Sequence, residues 1–141
     1  MIGSPFYKQH WHYIDEERLR RYDGMFRWSD ASRHLYDAAE IDVGHVVADF
    51  GCGPGHTVME IEKWVGPTGE VIGLDINADF IARAKRNAAD LGMAERVSFY
   101  RSDGQNLPIG DAVLDRITTR NTLIYVDDPQ QTLSEFRRVL K

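Results

Sequence analysis

The stretch VVADFGCGPGHTV, Val46 to Val58, predicts a strand, a glycine loop and a helix in succession. Its first residues, Val46-Val47-Ala48, are apolar and β-branched enough for a buried strand, and the chain turns at Gly51 before helical spacing begins at Val58. A loop of this kind brings backbone N–H groups and the positive end of a helix towards phosphate or carboxylate groups. We therefore expect a ligand to lie against this loop.

Strands and helices continue to alternate after this stretch. The predicted strands cover residues 45–50, 70–75, RVSFYRSD and AVLDRITTR, and the predicted helices cover 56–65, 77–91 and a last segment from Asp128-Pro129 in which Leu133, Phe136 and Leu140 share a face. Helices of this length between strands imply right-handed crossovers, and hence a parallel sheet that is covered on both sides. The predicted fold class is α/β, with a doubly wound parallel sheet.

Composition limits the size of the core and the classes of partner. With 141 residues, 43% of them hydrophobic, the chain can bury one respectable core. A net charge of −5 gives no basic footprint for nucleic acid, and no run approaches the roughly 18 apolar residues of a membrane helix, so neither partner is predicted. The single Cys52 excludes an internal disulfide, and the first residues lack the features of a secretory signal, so we expect a cytoplasmic protein.

The segment before Asp42 differs in composition from the rest of the chain. It holds eight of the fifteen aromatic residues, from Phe6 and Tyr7 onwards, and many charged ones. We predict helices over residues 5–40, and we divide the chain into an N-terminal helical segment, 1–42, and a ligand-binding domain, 43–141.

Two acidic residues stand at the ends of the second and third predicted strands. Asp75 ends VIGLD, where a carboxylate can accept hydrogen bonds from both hydroxyls of a ribose, and Asp103 follows the third strand in RSDGQNLP. The loop departs from the dinucleotide pattern G-x-G-x-x-G, because His56 stands where the third glycine would fall. A nicotinamide-dependent oxidoreductase would normally keep that pattern and has no use for Asp103, so it is the weaker alternative.

Five segments between residues 43 and 141 carry a family resemblance: VVADFGCGPGHT, VIGLDIN, RSDGQNLP, LDRITTRNTLIYVDDP and TLSEFRRVLK. In their order and spacing they resemble the class I S-adenosylmethionine-dependent methyltransferases, in the broad group that includes the ubiquinone/menaquinone-biosynthesis type. The resemblance implies a Rossmann-like sheet with strands 3-2-1-4, S-adenosyl-L-methionine as cofactor and S-adenosyl-L-homocysteine as product. It also implies methyl transfer to a small-molecule acceptor by in-line displacement. A cofactor-binding fragment or non-catalytic subunit is the alternative.

The resemblance also assigns site residues. By that similarity the methionine part would lie against Asp49, Gly51, Cys52, Gly53 and Gly55; the ribose would bind Asp75; the adenine would contact Ile76, Ser102, Asp103, Gly104 and Gln105; and Arg120 and Asn121 would touch the cofactor mainly through backbone. The acceptor-side candidates are Tyr13, Trp28 and Tyr125. If the acceptor needs a base, His10, His12, Tyr13 or Tyr125 qualifies by residue type, and no catalytic residue is assigned.

Simpler interpretations stand beside these roles. Asp75 would merely cap a helix beginning at Asn77, and Asp103 would only stabilise a turn. Cys52 is better explained by packing than as a nucleophile, and HWH, His10 to His12, has no second cluster at ligand spacing, so no metal is predicted. The N-terminal aromatic residues form either the core of a small helical layer or a lid, residues 5–36, over the acceptor.

The last residues, RRVLK, raise a question of completeness. Similar methyltransferases run on from this point, usually through Pro-Gly-Gly, into a fifth strand and two more. We therefore expect either a truncated product of a longer protein or a chain that self-associates through the open edge of its fourth strand.

Overall fold

The computed structural model describes residues 9–141, so Phe6 and Tyr7 lie outside the described residues. The strands are β1 (Val46–Phe50), β2 (Glu70–Asp75), β3 (Val97–Arg101) and β4 (Arg116–Thr119). The α-helices are α1 (Glu16–Met25), α2 (His56–Val65), α3 (Ala78–Asp90) and α4 (Pro129–Val139). Two 3-10 helices cover Asp30–Ala39 and Leu123–Tyr125.

The strands form one parallel sheet in the order β3-β2-β1-β4. In the register of this sheet, Val47 of β1 pairs with Val71 of β2 on one side and with Arg116 of β4 on the other. The predicted doubly wound parallel sheet with strand order 3-2-1-4 is thereby confirmed. Because β2 and β4 flank β1 on opposite sides, the strand order reverses at β1, and ligands bind open α/β sheets at the carboxyl ends of the strands at such a point.

Apolar side chains fill a core on each face of the sheet. Val47 belongs to the core beneath α2 and α3, and its neighbour Ala48 belongs to the core beneath α4. In the second core, the rings of Phe50 and Phe136 meet edge to face with centroids 5.3 Å apart. Burial on both faces explains why β1 is apolar throughout except at Asp49.

Helix α4 turns a different face to the core from the one predicted. The residues that it buries are Thr132, Glu135, Phe136 and Val139. Leu133, which was predicted to face inwards, is 52% exposed. The prediction followed the apolar residues alone, but Glu135 faces inwards because its carboxylate accepts the Leu107 N–H at 2.7 Å. Polar contacts to the loop after β3 therefore decide the rotation of this helix.

The fourth strand is shorter than the predicted AVLDRITTR. Ala112 has a φ of +52°, which an extended strand cannot continue, and β4 begins only at Arg116. Between them, Leu114 forms a parallel bridge with Leu140. Within residues 9–141, β4 is an edge strand of the sheet, and self-association through this edge stays a prediction.

Within residues 10–40, the N-terminal segment is helical over Glu16–Met25 and Asp30–Ala39 and not throughout, whereas helices over 5–40 were predicted. Helix α1 ends at Met25, and the chain is extended at Ser29 before the 3-10 helix begins. None of the residues within these two helices is fully buried, whereas Ile14, just before α1, is only 2% exposed. The segment therefore lies as a layer on the α/β domain and has little core of its own. The domain boundary at residues 42 and 43 stays a prediction.

Gly55, at the start of α2, provides a test of how closely the helices pack on the sheet. It has a φ of +85°, and a Cβ atom there would lie 2.9 Å from the Cβ of Ala84 and from the ring of Phe99. We expect Gly55→Ala to lower the free energy of unfolding by about 2–4 kcal/mol, since about 1–2 kcal/mol of backbone strain adds to overpacking.

Gly92→Ala is the matched control. Gly92 has a φ of +70°, but nothing lies within 4 Å of a Cβ atom at that position. It should therefore show the backbone penalty alone, about 1–2 kcal/mol. Urea unfolding of both variants measures the difference, and equal losses would contradict the close packing at Gly55.

Candidate active site

A cavity of about 680 Å³ opens at the carboxyl ends of the strands. One wall is made by the loops that follow the strands, and the opposite wall comes from the N-terminal segment. Its volume falls within the roughly 300–1,000 Å³ of small-molecule sites. The predicted site residues that line it are Asp49, Gly51, Cys52, Gly53, Asp75, Ile76, Ser102, Asp103, Arg120, Asn121, Trp28 and Tyr125.

Four predicted site residues do not line the cavity. Gly55 and Gly104 adopt positive φ beneath packed aromatic rings, and a Cβ atom at Gly104 would lie 2.7 Å from Phe50. Gln105 uses its side chain to bond to the backbone of Asp128 and to Thr132, and Tyr13 is 76% exposed. The sequence assigned these four to the site, but packing, loop contacts and solvent account for their positions.

The glycine loop is fixed to the end of β2 by backbone hydrogen bonds. The N–H groups of Gly51 and Cys52 both donate to the carbonyl of Leu74, at 2.7 and 2.9 Å. Gly51 has a φ of +81°, and a side chain there would overlap the Thr122 side chain. Burial raises the pKa of the Cys52 thiol well above its ordinary value. Cys52 therefore stays protonated and fills space, as its packing interpretation requires.

Asp75 holds the glycine loop through its carboxylate. Its Oδ2 accepts the Gly53 N–H at 2.9 Å, and its Oδ1 accepts the Asn77 N–H at 2.9 Å. The cap of α3 is Asn77, whose side chain accepts from the first turn, so Asp75 is not that cap. Burial raises the pKa of Asp75, and its backbone hydrogen bonds oppose this effect. A carboxylate has about four acceptor positions, so Asp75 keeps acceptor capacity at the cavity.

Asp49 is a buried carboxyl group at the same edge. The Thr118 hydroxyl donates to its Oδ1 at 2.7 Å. Burial raises the pKa of Asp49 to about 7, an effect that the Thr118 hydrogen bond opposes and the nearby Asp75 reinforces. The buried Asp49 and the half-buried Asp75 beside it favour a ligand that brings positive charge.

Asp103 stabilises a turn and also lines the cavity. Its Oδ1 accepts the Gln105 N–H at 2.9 Å, which is the turn interaction, and the residue is exposed and lines the cavity. Beside it, Ser102 accepts the Gly104 N–H at 3.1 Å and shapes the same turn. The turn therefore fixes one carboxylate oxygen, and the residue still reaches the site.

Aromatic side chains form the N-terminal wall. Trp11, Phe26, Trp28 and Tyr36 all line the cavity, and Phe26 lies 3.7 Å from the place of a Cβ atom on Gly53. Trp28 was predicted from the sequence, whereas Phe26 and its neighbour Arg27, which also lines the cavity, were not. Aromatic composition was the available signal, and it does not say which ring meets the glycine loop.

Asp23 on α1 joins the N-terminal segment to α2 and α3. Its Oδ1 lies 2.8 Å from Nε2 of His56 and accepts from the Asn87 amide at 2.9 Å, and its Oδ2 lies 3.2 Å from Nε of Arg83. Burial raises the pKa of Asp23, but the hydrogen bonds from Asn87 and His56 and the charges of His56 and Arg83 outweigh it, so the pKa is lowered. The position that breaks the dinucleotide glycine pattern, His56, thus anchors the N-terminal wall.

The remaining predicted groups are placed as follows. The Nε2 of His10 lies 3.0 Å from the Tyr22 hydroxyl. Of the four residues named as bases by type, His12 and Tyr125 line the cavity.

Within residues 9–141 no three His, Cys, Asp or Glu side chains are placed to share a metal ion. In the same part of the chain, no helix has the length and apolar character to cross a membrane.

The strand order, the glycine loop and the carboxylates at the ends of β1, β2 and β3 define a protein of Rossmann-like fold. A methyltransferase domain family matches residues 41–141. The chain is 34% identical to the ubiquinone/menaquinone biosynthesis C-methyltransferase UbiE of Cellvibrio japonicus, over 77% of this chain and 44% of that protein. It is 31% identical to methyltransferase GfsG of Streptomyces halstedii, over 78% and 39%.

A solved structure agrees with these sequence matches. The SAM dependent methyltransferase from Aquifex aeolicus matches with a TM-score of 0.78 and 22% identity, over 92% of this chain and 69% of that one. The chain belongs to the class I S-adenosylmethionine-dependent methyltransferases, and S-adenosylmethionine is the cofactor of this family. It spans less than half the length of the two relatives named above.

The buried Asp49 predicts a pH-dependent stability. Between its unfolded pKa near 3.8 and about 7, the folded protein keeps a proton that the unfolded chain has released. The contribution of Asp49 to stability is therefore fully present below pH 3.8 and is lost as the pH rises through 7. The Asp49→Asn variant has no ionisable group at this position, so it escapes this loss. As the pH rises from 5 to 8, its free energy of unfolding should therefore increase by up to about 3 kcal/mol relative to that of the wild type.

Urea unfolding at pH 5 and pH 8 measures this change for both proteins. If the difference in free energy between them is the same at the two pH values, Asp49 is already ionised at pH 5 and the expectation is wrong.

Asp23 predicts how firmly the N-terminal wall is attached. Asp23→Ala leaves His56, Arg83 and Asn87 without their shared acceptor, so the free energy of unfolding should fall by about 1–3 kcal/mol. Hydrogen exchange of the amides in residues 16–39 should accelerate more than that of the strands, because α1 and the 3-10 helix have no fully buried residue.

Asp37→Ala is the control for this change, since Asp37 is an exposed acid in the same segment. It should leave both measurements unchanged. Equal exchange in the two variants would show that Asp23 does not hold the segment.

Proposed function

We propose that this protein transfers a methyl group from S-adenosylmethionine to a small-molecule acceptor. The observation that carries the proposal is the Asp75 carboxylate, which binds the glycine loop through the Gly53 N–H and still lines the cavity. An acceptor at the end of β2 beside a glycine loop at the end of β1 suits a ribose.

The residues of the cavity fit this cofactor chemically. Ribose hydroxyls and the adenine amino group donate hydrogen bonds, and Asp75 and Asp103 offer carboxylate acceptors. The sulfonium and ammonium groups carry positive charge, and burial has raised the pKa of Asp49, which has a carboxyl group at the same edge. We assign Asp75 to the ribose, Ile76 to the adenine, and Asp49 with Gly51 and Gly53 to the methionine part.

The protein itself contributes by positioning the acceptor and by excluding water. Once bound, the cofactor would supply a methyl group attached to a positively charged sulphur. The acceptor bonds to the methyl carbon in line with the carbon–sulphur bond, which breaks. The chain must hold the acceptor atom near this methyl group and exclude water. We assign this role to the aromatic wall, with Trp28 and Tyr125 on the acceptor side and residues 9–36 as the covering segment. For an acceptor that needs a base, His12 and Tyr125 are the candidates at the cavity.

A calorimetric titration of the chain with S-adenosylhomocysteine and with NAD tests the cofactor assignment. We expect S-adenosylhomocysteine to bind more tightly. Asp75→Ala should weaken its binding by roughly 2–4 kcal/mol, because each charge-assisted hydrogen bond contributes about 1.5–3 kcal/mol and water compensates in part. Methyl transfer from labelled S-adenosylmethionine to pools of small molecules then tests catalysis.

Asp79→Ala is the control, because Asp79 is an exposed acid in the first turn of α3, close to Asp75 in sequence. It should bind S-adenosylhomocysteine as the wild type does. Tighter binding of NAD, or a loss below tenfold for Asp75→Ala, would overturn the assignment. Cofactor binding without transfer to any acceptor would favour a non-catalytic, cofactor-binding role.

A further inference from the structure

The charged residues of the cavity are separated along the strand order. Asp103, Asp75 and Asp49 stand at the ends of β3, β2 and β1, and Arg120 follows β4. Because the strands lie in the order β3-β2-β1-β4, the acidic residues occupy one side and the centre of the strand edge, and Arg120, whose side chain is exposed, occupies the other side. A nucleoside held by the acids therefore leaves the basic side of the cavity for the second ligand.

Arg27 brings a second positive charge from the N-terminal wall. It lies in the chain between Phe26 and Trp28, and all three residues line the cavity. Among the residues that the structure describes, the guanidinium groups of Arg27 and Arg120 have neither a hydrogen bond nor an ion pair. Asp127 also lines the cavity, but it has an interaction of its own within the protein.

In the described part of the chain several other arginines are paired, whereas exposed ones such as Arg20 and Arg137 are not, so Arg27 and Arg120 are distinguished by their place at the cavity. Arg83 pairs with Asp23, Arg96 with Glu62, and Arg138 with both Asp111 and Glu135. An arginine without a partner beside a concave, partly apolar surface is suited to bind an anionic ligand, since its planar fork matches a carboxylate or phosphate.

Apolar and aromatic residues line the same cavity as the two arginines. Trp11 from the N-terminal segment meets Tyr125, which follows β4, with ring centroids 5.5 Å apart. Ile124 also lines this side of the cavity, although its side chain is 67% exposed. Aromatic faces favour planar or apolar ligands.

We propose that the second ligand of this cavity is an apolar or aromatic small molecule with one anionic group, which Arg27 and Arg120 bind. This inference rests on the proposed function in so far as that ligand is the methyl acceptor. The arginines select the molecule by its charge and the aromatic wall orients its body, so both residues determine specificity.

A pair of probes of nearly the same shape, one anionic and one neutral, tests the proposal. 2-Naphthoate and the neutral 2-naphthamide share their shape, and calorimetry measures the binding of each to the chain with and without saturating S-adenosylhomocysteine. We expect the carboxylate to bind at least about tenfold more tightly, the minimum for one charge-assisted hydrogen bond. Arg27→Gln and Arg120→Gln should each remove most of this preference.

Arg20→Gln and Arg137→Gln are the matched controls. Both are exposed arginines that do not line the cavity, one in α1 and one in α4, and both changes remove the same charge. They should keep the preference for the carboxylate. Equal affinity for the two probes, no binding of 2-naphthoate at millimolar concentration, or an equal loss in the control variants would overturn the proposal.

One further measurement separates the acceptor from the cofactor. S-Adenosylhomocysteine has a methionine-derived carboxylate, and 5′-methylthioadenosine lacks it. If Arg27→Gln or Arg120→Gln weakens binding of the first compound and not of the second, that arginine binds the cofactor, and the acceptor proposal fails. If the wild type binds 2-naphthoate selectively but does not bind S-adenosylhomocysteine, the anion site stands and the proposed methyl transfer fails.

Discussion

The hydrogen bond between the Gly53 N–H and the Asp75 carboxylate is the interaction on which the site depends. It joins the loop after β1 to the end of β2, and the N–H groups of Gly51 and Cys52 reinforce it through the Leu74 carbonyl. Only glycine fits at position 51, because the chain has a positive φ there and a side chain would overlap that of Thr122. The loop is therefore held open at the edge of the sheet before any ligand arrives.

This arrangement places two carboxyl groups where hydrogen bonds within the protein compensate their charge only in part. Asp49 and Asp75 lie close together in a largely apolar edge, and burial raises the pKa of both. Hydrogen bonds from Thr118 and from backbone N–H groups offset the penalty only in part. Under the proposed function, the positive charge and hydroxyl donors of the cofactor would relieve the same penalty.

The sequence predicted the parts of this site that local pattern determines. A β-branched run, a glycine turn and an acid at a strand end place Gly51, Asp75 and Asp103 at one edge, because parallel strands end together. It failed where distant contacts decide. Because Leu133 is apolar, it was predicted to share a face of α4 with Phe136. The contact of Glu135 with Leu107, 28 residues away, instead sets the rotation of the helix. Phe26 and Arg27 were missed because local periodicity carries no information on which surface the N-terminal segment covers.

The two walls of the cavity are built by different physical means. The cofactor wall belongs to strands packed on both faces, whereas α1 and the 3-10 helix contain no fully buried residue. Polar contacts position that segment: Asp23 meets His56, Arg83 and Asn87, and the Asn77 amide donates to the Trp11 carbonyl at 2.9 Å. Aromatic contacts add to them, since the ring centroid of Phe26 lies 6.4 Å from that of Phe80 and the ring centroid of Trp28 lies 5.5 Å from that of Trp64. Surface contacts thus hold this segment on the domain, and under the proposed function it is the wall that sets which acceptor is bound.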